Sequence, residues 1–215
     1  MLIQKIPDTN IAAIMEVEKA AFIPPIRTTE ATIKQRLGLG HTYLAAFDFD
    51  GTKPIGTIAF RNARFSPQDY EQFPRTFAKY AEDPNDDRGN AVFVYSLGVI
   101  PGYRNGLAAK KLIKAALAEA KHRGLHYAVG DARCPSFNGS KEWPEERFEK
   151  NEAIHRAITA HLDGGPFPQN ETLYKDPVLG FYLKTFGFKP LWIIPDFWMG
   201  DEPCGNFMVI IYSEL

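Results

Sequence analysis

Cysteine is scarce in this chain, since only Cys134 and Cys204 occur among its 215 residues. They have neither the paired spacing of a zinc site nor the density of a disulfide-stapled scaffold, which predicts two reduced thiols. No apolar run reaches the roughly 18 residues that a membrane span requires, and the first residues contain no apolar segment behind a basic one. The sequence therefore predicts no membrane partner and, by default, a cytoplasmic location.

An excess of charge of either sign is also missing. The formal net charge of -1 gives no general electrostatic attraction to polyanions, so no nucleic-acid partner is predicted. Hydrophobic residues make up 45% of the chain and charged residues 24%, which is ordinary usage for a globular protein. We expect a single domain over residues 1–215, with polar, proline-containing insertions around 66–90 and 139–176.

Alternating apolar patterns predict a mixture of strands and helices along the chain. Strands are indicated by short β-branched and aromatic runs, and helices by apolar residues that recur every three or four positions. The predicted strands are 2–6, 41–47, 55–60, 91–100, 125–131, 188–194 and 207–212, and the predicted helices are 11–21, 28–37, 107–123, 145–162 and 177–185. Asp8, Thr9 or Asn10 is expected to cap the first helix.

The strand over 91–100 and the helix that follows it form the most informative segment. The strand is almost continuously apolar and aromatic, as a strand buried on both faces would be. A helix that begins just after a glycine-containing turn presents unpaired backbone N–H groups and a positive dipole end, which suit a phosphate. Such a turn is a weak signal by itself, because many serve only to cap a helix. A three-glycine dinucleotide fingerprint is excluded by the spacing of Gly98, Gly102 and Gly106.

Residues Leu97 to Ala109 resemble the coenzyme-A motif of the GNAT superfamily, a strand that ends in V-x-P-x-x-R followed by x-x-G-x-G/A. In an ungapped register the first motif glycine falls on Leu107, and Gly106 lies one residue early. Either Leu107 avoids a positive φ or Gly106 supplies that conformation. Residues 176–188 resemble the later helix of the same superfamily, which ends shortly before Gly-Phe. Two separate motifs thus agree in their order along the chain.

A narrower resemblance involves residues 131–135, Asp-Ala-Arg-Cys-Pro, followed by an insertion and Asp-Pro-Val-Leu. This pattern is similar to a GNAT subgroup that is often fused to, or associated with, carbon-nitrogen hydrolase domains. The resemblance implies an α+β fold, an α/β sandwich in which helices flank a mixed, mostly antiparallel central sheet. It also implies acetyl-CoA as the co-substrate.

The resemblance assigns the coenzyme to backbone groups in two places. The pantetheine arm would pair along the end of the central strand, and the Leu97 N–H would support the thioester oxygen as it gains charge. The pyrophosphate would lie on the N–H groups at the start of the helix, beside the arginine side chain. The implied coenzyme-binding residues are Leu97, Gly98, Val99, Arg104, Asn105, Gly106, Leu107, Ala108 and Ala109.

Tyr182 resembles the family tyrosine that protonates the departing coenzyme-A thiolate. The alternative is a helix tyrosine anchored in the core by its hydroxyl, because a count back from Gly187 would place Leu183 in that position. Counting from Asp-Pro-Val-Leu instead supports Tyr182, where the subgroup commonly has histidine. The general base stays unassigned, with Asp131, Asp176 and Tyr95 as its candidates.

The leading hypothesis is therefore an acetyl-CoA-dependent N-acetyltransferase that transfers the acyl group directly to a primary amine of a small molecule or peptide. One alternative, motivated by Leu107, is an acyl-CoA-binding regulatory module without efficient transfer. Another is a partner-binding subunit that uses the aromatic carboxyl-terminal segment. No metal is implied, because His155 and His161 are six residues apart and no Glu completes a helical metal-binding pattern. A homodimer is left open.

Overall fold

The computed structural model describes residues 1–135, 137, 154, 156–161, 163–167, 171–201 and 204–215. Residues 156–159 are helical, but most of the predicted helix over 145–162 and of the insertion over 139–176 lies outside the described residues. The chain forms two compact units. The first comprises Met1–Phe65, Ala78–Ala128 and Leu215, and the second comprises Ser66–Phe77 and Val129–Glu214.

Four antiparallel strands form the sheet of the first unit. They are β1 (Leu2–Lys5), β2 (Thr42–Phe47), β3 (Pro54–Ala63) and β4 (Ala91–Val99), and each pairs with the next. Every residue of β2 and of β3 is buried. Most of these residues are apolar or small, and the buried polar side chains of Arg61 and Asn62 are hydrogen-bonded. The predicted hairpin between β2 and β3 is confirmed.

Helices α1 (Ile11–Ala21), α2 (Glu30–Gly38) and α3 (Phe77–Glu82) lie between these strands in sequence, and α4 (Leu107–His122) follows β4. The apolar stripe of α4 is buried as the periodicity predicts, with Ala108, Leu112, Ile113, Ala116 and Ala120 inside. The predicted side-chain cap on α1 is wrong. Asn10 occupies the N-cap position without a side-chain hydrogen bond, because a short 3-10 turn over Asp8–Asn10 leads into the helix instead.

The remaining elements complete the chain. Strand β5 is Tyr127–Ala132, and its first two residues belong to the first unit. The second unit holds β6 (Gly165–Pro166), β7 (Lys189–Ile194), β8 (Met208–Glu214) and helix α5 (Pro177–Phe186). Strand β7 pairs antiparallel with both β6 and β8. The mostly antiparallel strands and the helices confirm the predicted α+β class. β5 begins two residues later than predicted, because the Leu125 N–H bonds back to Ala120 and closes α4.

Aromatic residues near the carboxyl end pack inside the second unit. Trp192 and Phe197 are 2% and 1% exposed. The Trp198 ring stacks on Phe77 with 4.1 Å between centroids, and Met199 is exposed. Burial of these rings supports core packing over the alternative of an aromatic docking surface.

Candidate active site

Strand β4 contains a bulge close to its carboxyl end. Ala59 pairs with Tyr95 and Thr57 with Gly98, so Ser96 and Leu97 together lie opposite Ile58 alone. Ser96 has a φ of 50°, a left-handed conformation that costs a residue with a side chain about 1–2 kcal/mol. A bulge bends the strand and removes backbone groups from regular pairing. The irregularity therefore falls where the sequence predicts that the pantetheine arm lies.

Position 98, directly after the bulge, requires glycine because neighbouring residues leave no room for a side chain. A Cβ at this position would lie 2.7 Å from Cε2 of Phe22 and 3.2 Å from Cβ of Ala21, the last residue of α1. A Cβ on the neighbouring Gly56 would in turn lie 3.0 Å from the Gly98 carbonyl oxygen. These glycines let the end of β4, the start of β3 and the end of α1 approach closely.

The turn between β4 and α4 takes its left-handed conformation at Gly106. Gly106 is the N-cap of α4 with a φ of 82°, and no atom lies within 4 Å of the position of an added Cβ. Leu107 is the first helical residue, and its side chain is 49% exposed. Gly106 thus supplies the conformation that the shifted motif requires, and Leu107 carries no backbone strain.

The amino-terminal end of α4 presents backbone donors. The Leu107 N–H donates to Oδ1 of Asn105 at 3.0 Å, and the Lys110 N–H begins the helical ladder at the Gly106 carbonyl. Within the part of the chain that the structure describes, the Ala108 and Ala109 N–H groups have no acceptor. Two unpaired N–H groups at the positive end of a helix of 16 residues suit a phosphate oxygen.

Arg104 fastens this turn to its neighbours. Its Nε donates to the Val99 carbonyl at 2.9 Å, and one terminal nitrogen donates to the Ala21 carbonyl at 3.0 Å. The side chain is exposed, and three of its five N–H donors remain for an anion. Its structural role is thus to join α1 to the end of β4, whereas its contact with phosphates stays a prediction.

Tyr182, the predicted acid, lies on α5 in the second unit and is only partly buried. Desolvation and the negative charge of Asp131 raise its pKa above the usual value for tyrosine. The phenol therefore keeps its proton at neutral pH. Leu183, by contrast, is 4% exposed and faces the core. The charge of Asp131, one of the three candidate bases, thus acts on the pKa of Tyr182.

Asp176 is occupied by structural contacts. Its Oδ1 accepts hydrogen bonds from the Val178 and Leu179 N–H groups, both at 2.8 Å, and so caps α5. Its Oδ2 accepts from the Cys134 thiol at 3.4 Å, and the residue is 1% exposed. These contacts favour the capping interpretation of Asp176 over that of a base.

Arg133, the residue before Cys134, forms an ion pair with Asp201 that the sequence did not predict. Nε of Arg133 donates to Oδ2 of Asp201 at 2.7 Å, and a terminal nitrogen donates to Oδ1 at 2.5 Å. Asp201 has no exposed surface, so the bidentate pair neutralises a buried carboxylate. Its partners are 68 residues apart, and no local pattern marks that pairing.

Tyr95, the third candidate base, is enclosed by polar residues of the first unit. Its hydroxyl lies 2.5 Å from Nδ1 of His41, and the Arg36 guanidinium lies over its ring at 5.1 Å. Tyr95 is 2% exposed, and burial raises its pKa well above the usual value. A phenol that holds its proton this firmly is a poor base at neutral pH. Sequence reasoning missed this cluster, whose members come from α2, from the residue before β2 and from β4.

No group of three His, Cys, Asp or Glu residues able to hold a metal occurs among the described residues, which do not include His155. No described helix combines the length and apolar character that a membrane span needs.

Comparison with known proteins places the chain in a family. The model of the acetyltransferase (GNAT) family matches residues 11–139. No curated protein matches the chain. Among solved structures, the GphF GNAT-like decarboxylase in complex with isobutyryl-CoA is 22% identical, covers 100% of this chain and 99% of its own, and superposes with a TM-score of 0.73.

Two further structures share the fold. The loading GNATL domain of CurA from Lyngbya majuscula is 17% identical over 99% of this chain and 96% of its own, with a TM-score of 0.71. The aminoglycoside 6'-N-acetyltransferase from Enterococcus faecium is 12% identical over 100% of this chain and 97% of its own, with a TM-score of 0.56. Since the family model covers more than half of the 215 residues, this chain belongs to the acetyltransferase (GNAT) family.

Proposed function

We propose that this protein is an acetyl-CoA-dependent N-acetyltransferase that moves an acyl group directly to a primary amine of a small molecule or peptide. The observation that carries the proposal is the continuous segment Leu97–Ala109, in which a strand bulge leads into a helix with two unpaired N–H groups. The proposal includes a cytoplasmic location and leaves the oligomeric state open.

Binding of acetyl-CoA would use the backbone of this segment. The Ala108 and Ala109 N–H groups would hold a phosphate oxygen, with the free donors of Arg104 beside them. The backbone of Leu97, Gly98 and Val99 would pair with the pantetheine arm. Leu97 and Val99 are only partly buried, so the end of this strand is accessible to a partner.

The transfer step replaces a carbon–sulfur bond with a carbon–nitrogen bond. The neutral amine nitrogen attacks the thioester carbonyl carbon, the Leu97 N–H supports the negative charge that grows on the oxygen, and the sulfur leaves with the bonding electrons. The thiolate then accepts a proton, and the nitrogen loses one to water. A protonated amine has no lone pair for attack, so we expect the rate to rise with pH toward the amine pKa.

Tyr182 is proposed to meet the departing sulfur. Each unit by which its pKa exceeds that of a thiol makes full proton transfer less favourable by about 1.4 kcal/mol. Because desolvation and Asp131 raise the pKa of Tyr182, a hydrogen bond that stabilises the thiolate is favoured over complete transfer. Water then completes the protonation of the thiol.

The same raised pKa favours a second candidate, an acyl-CoA-binding module without efficient transfer, because Tyr182 would be a weak acid. A third candidate, decarboxylation of a carboxylated acyl-CoA, is favoured by the higher TM-score of GphF, 0.73, than of the aminoglycoside acetyltransferase, 0.56. The three candidates share the coenzyme-binding segment and differ in what happens at the acyl group.

The test has two stages. Titration calorimetry with coenzyme A measures binding, and release of free thiol from acetyl-CoA in the presence of a panel of primary amines measures transfer. We expect saturable binding and amine-dependent thiol release. Binding without thiol release would favour the binding module, whereas loss of CO2 from malonyl-CoA would favour decarboxylation. A chain that does not bind coenzyme A refutes all three.

A further inference from the structure

A polar chain of side chains leads from the start of β2 to the bulge in β4. Nε2 of His41 lies 2.7 Å from the Asp83 carbonyl oxygen, which can only accept a hydrogen bond, so Nε2 carries the proton. Burial lowers the pKa of His41 to about 4, and the ring is therefore neutral at pH 7. Nδ1 must then accept, and the Tyr95 hydroxyl donates to it.

Tyr95 is consequently held at three places. Its hydroxyl is fixed by His41, its ring lies beneath the Arg36 guanidinium, and its backbone pairs with Ala59 on β3. The next residue is Ser96, whose left-handed backbone opens the bulge. A strained conformation persists only where its surroundings determine it. An anchored residue directly before Ser96 meets that condition.

We infer that His41 and Tyr95 are positioning residues that hold the Ser96–Leu97 bulge in the geometry that presents the Leu97 N–H to the thioester. This inference rests on the proposed function. Neither side chain touches the substrate in this account, because both are buried, at 4% and 2% exposure. Their effect passes through the backbone of Tyr95 and Ser96 to the Leu97 N–H.

Tyr95→Phe is the direct test, since it removes the hydroxyl and keeps the ring beneath Arg36. Tyr80→Phe is the matched control: the Tyr80 hydroxyl donates to the Val94 carbonyl on β4 at 3.1 Å, and the residue is equally buried. We expect Tyr95→Phe to lower kcat about fivefold, the loss of one ordinary hydrogen bond. The coenzyme-A affinity should fall less than kcat, because the phosphate contacts at the turn at Gly106 are untouched, and Tyr80→Phe should leave kcat unaltered.

Amide hydrogen exchange supplies a readout that does not depend on activity. Exchange of the Ser96 and Leu97 amides should accelerate in Tyr95→Phe and stay at the wild-type rate in Tyr80→Phe. If the wild-type protein neither binds coenzyme A nor turns over, the proposed function fails, but this exchange pattern still decides whether Tyr95 holds the bulge. Equal exchange in the wild-type protein and Tyr95→Phe would overturn the inference.

Two substitutions at His41 separate its contacts. Asparagine places an amide oxygen near the position of Nδ1 and can still accept from Tyr95, whereas glutamine places an amide nitrogen near Nε2 and keeps only the Asp83 contact. We expect His41→Asn to retain wild-type exchange and kcat, and His41→Gln to behave like Tyr95→Phe. The reverse order, or equal losses in Tyr80→Phe and Tyr95→Phe, would overturn the positioning role.

Discussion

Glutamine in place of Glu18 removes a carboxylate that is buried in α1. Glu18 is 1% exposed, and its Oε2 accepts a hydrogen bond from the Thr28 N–H at 3.0 Å. Desolvation raises its pKa from 4.5 to about 7, against the smaller lowering effects of the Thr28 bond and the Arg36 charge. The folded chain therefore keeps a proton on Glu18 over a pH range in which the unfolded chain has lost it.

The higher Glu18 pKa of the folded chain stabilises the folded state when Glu18 is protonated. This contribution is complete below pH 4.5 and is lost as pH rises to about 7. At 1.36 kcal/mol for each pKa unit, the free energy of unfolding falls by about 3 kcal/mol across that interval. Glu18→Gln cannot titrate. The free energy of unfolding of the variant, relative to that of the wild-type protein, should therefore increase by about 3 kcal/mol as pH rises from 4.5 to about 7.

His41 changes the stability in the opposite direction. Burial lowers its pKa from 6.5 to about 4, so its contribution is complete above pH 6.5 and is lost as pH falls toward 4. The two slopes have similar size, about 1.4 kcal/mol per pH unit. They nearly cancel in the wild-type protein over their shared range. In Glu18→Gln the slope of His41 should become visible.

Urea unfolding measured from about pH 4 to pH 8 gives the free energy at each pH. Glu16 is on the exposed face of the same helix, so Glu16→Gln is the control for removing one negative charge from α1. A stability difference between Glu18→Gln and the wild-type protein that stays constant with pH would refute the assignment of a buried, proton-retaining Glu18.

Three further substitutions test the candidate site. Gly106→Ala forces a residue with a side chain into a left-handed N-cap and should weaken coenzyme-A binding in calorimetry while lowering the free energy of unfolding by about 1 kcal/mol. Asp176→Ala leaves two N–H groups of α5 unpaired and should lower the melting temperature, at a cost of about 2 kcal/mol. Tyr182→Phe should lower kcat for acetyl transfer and leave coenzyme-A affinity unchanged; an unchanged kcat removes Tyr182 from the mechanism.

Local patterns in the sequence were sufficient to predict the two elements that contain most of the segment Leu97–Ala109. The apolar run over 91–100 predicts β4, and the spacing of apolar residues after Gly106 predicts α4, because both depend on side chains close together in the chain. The same pattern left the roles of Gly106 and Leu107 open. Only the backbone dihedral angles show which residue adopts the positive φ of the turn. A glycine one residue before the expected position does not by itself decide this.

Long-range polar contacts could not be predicted in this way. His41 and Tyr95 are 54 residues apart in the chain, and Arg133 and Asp201 are 68 apart. A buried polar side chain requires a partner, but nothing in its immediate neighbours specifies which distant residue provides it. The Ser96 bulge is likewise invisible in the sequence, since serine is not a residue that ordinarily marks a positive φ.

The central claim is that the segment Leu97–Ala109 binds an acyl-coenzyme A through its backbone. The most direct measurement is a titration of the isotopically labelled protein with coenzyme A, followed by nuclear magnetic resonance of the amide signals. We predict saturable binding with the largest shifts at the Ala108 and Ala109 amides. Saturable binding whose largest shifts fall outside this segment, or no binding at all, would contradict the account.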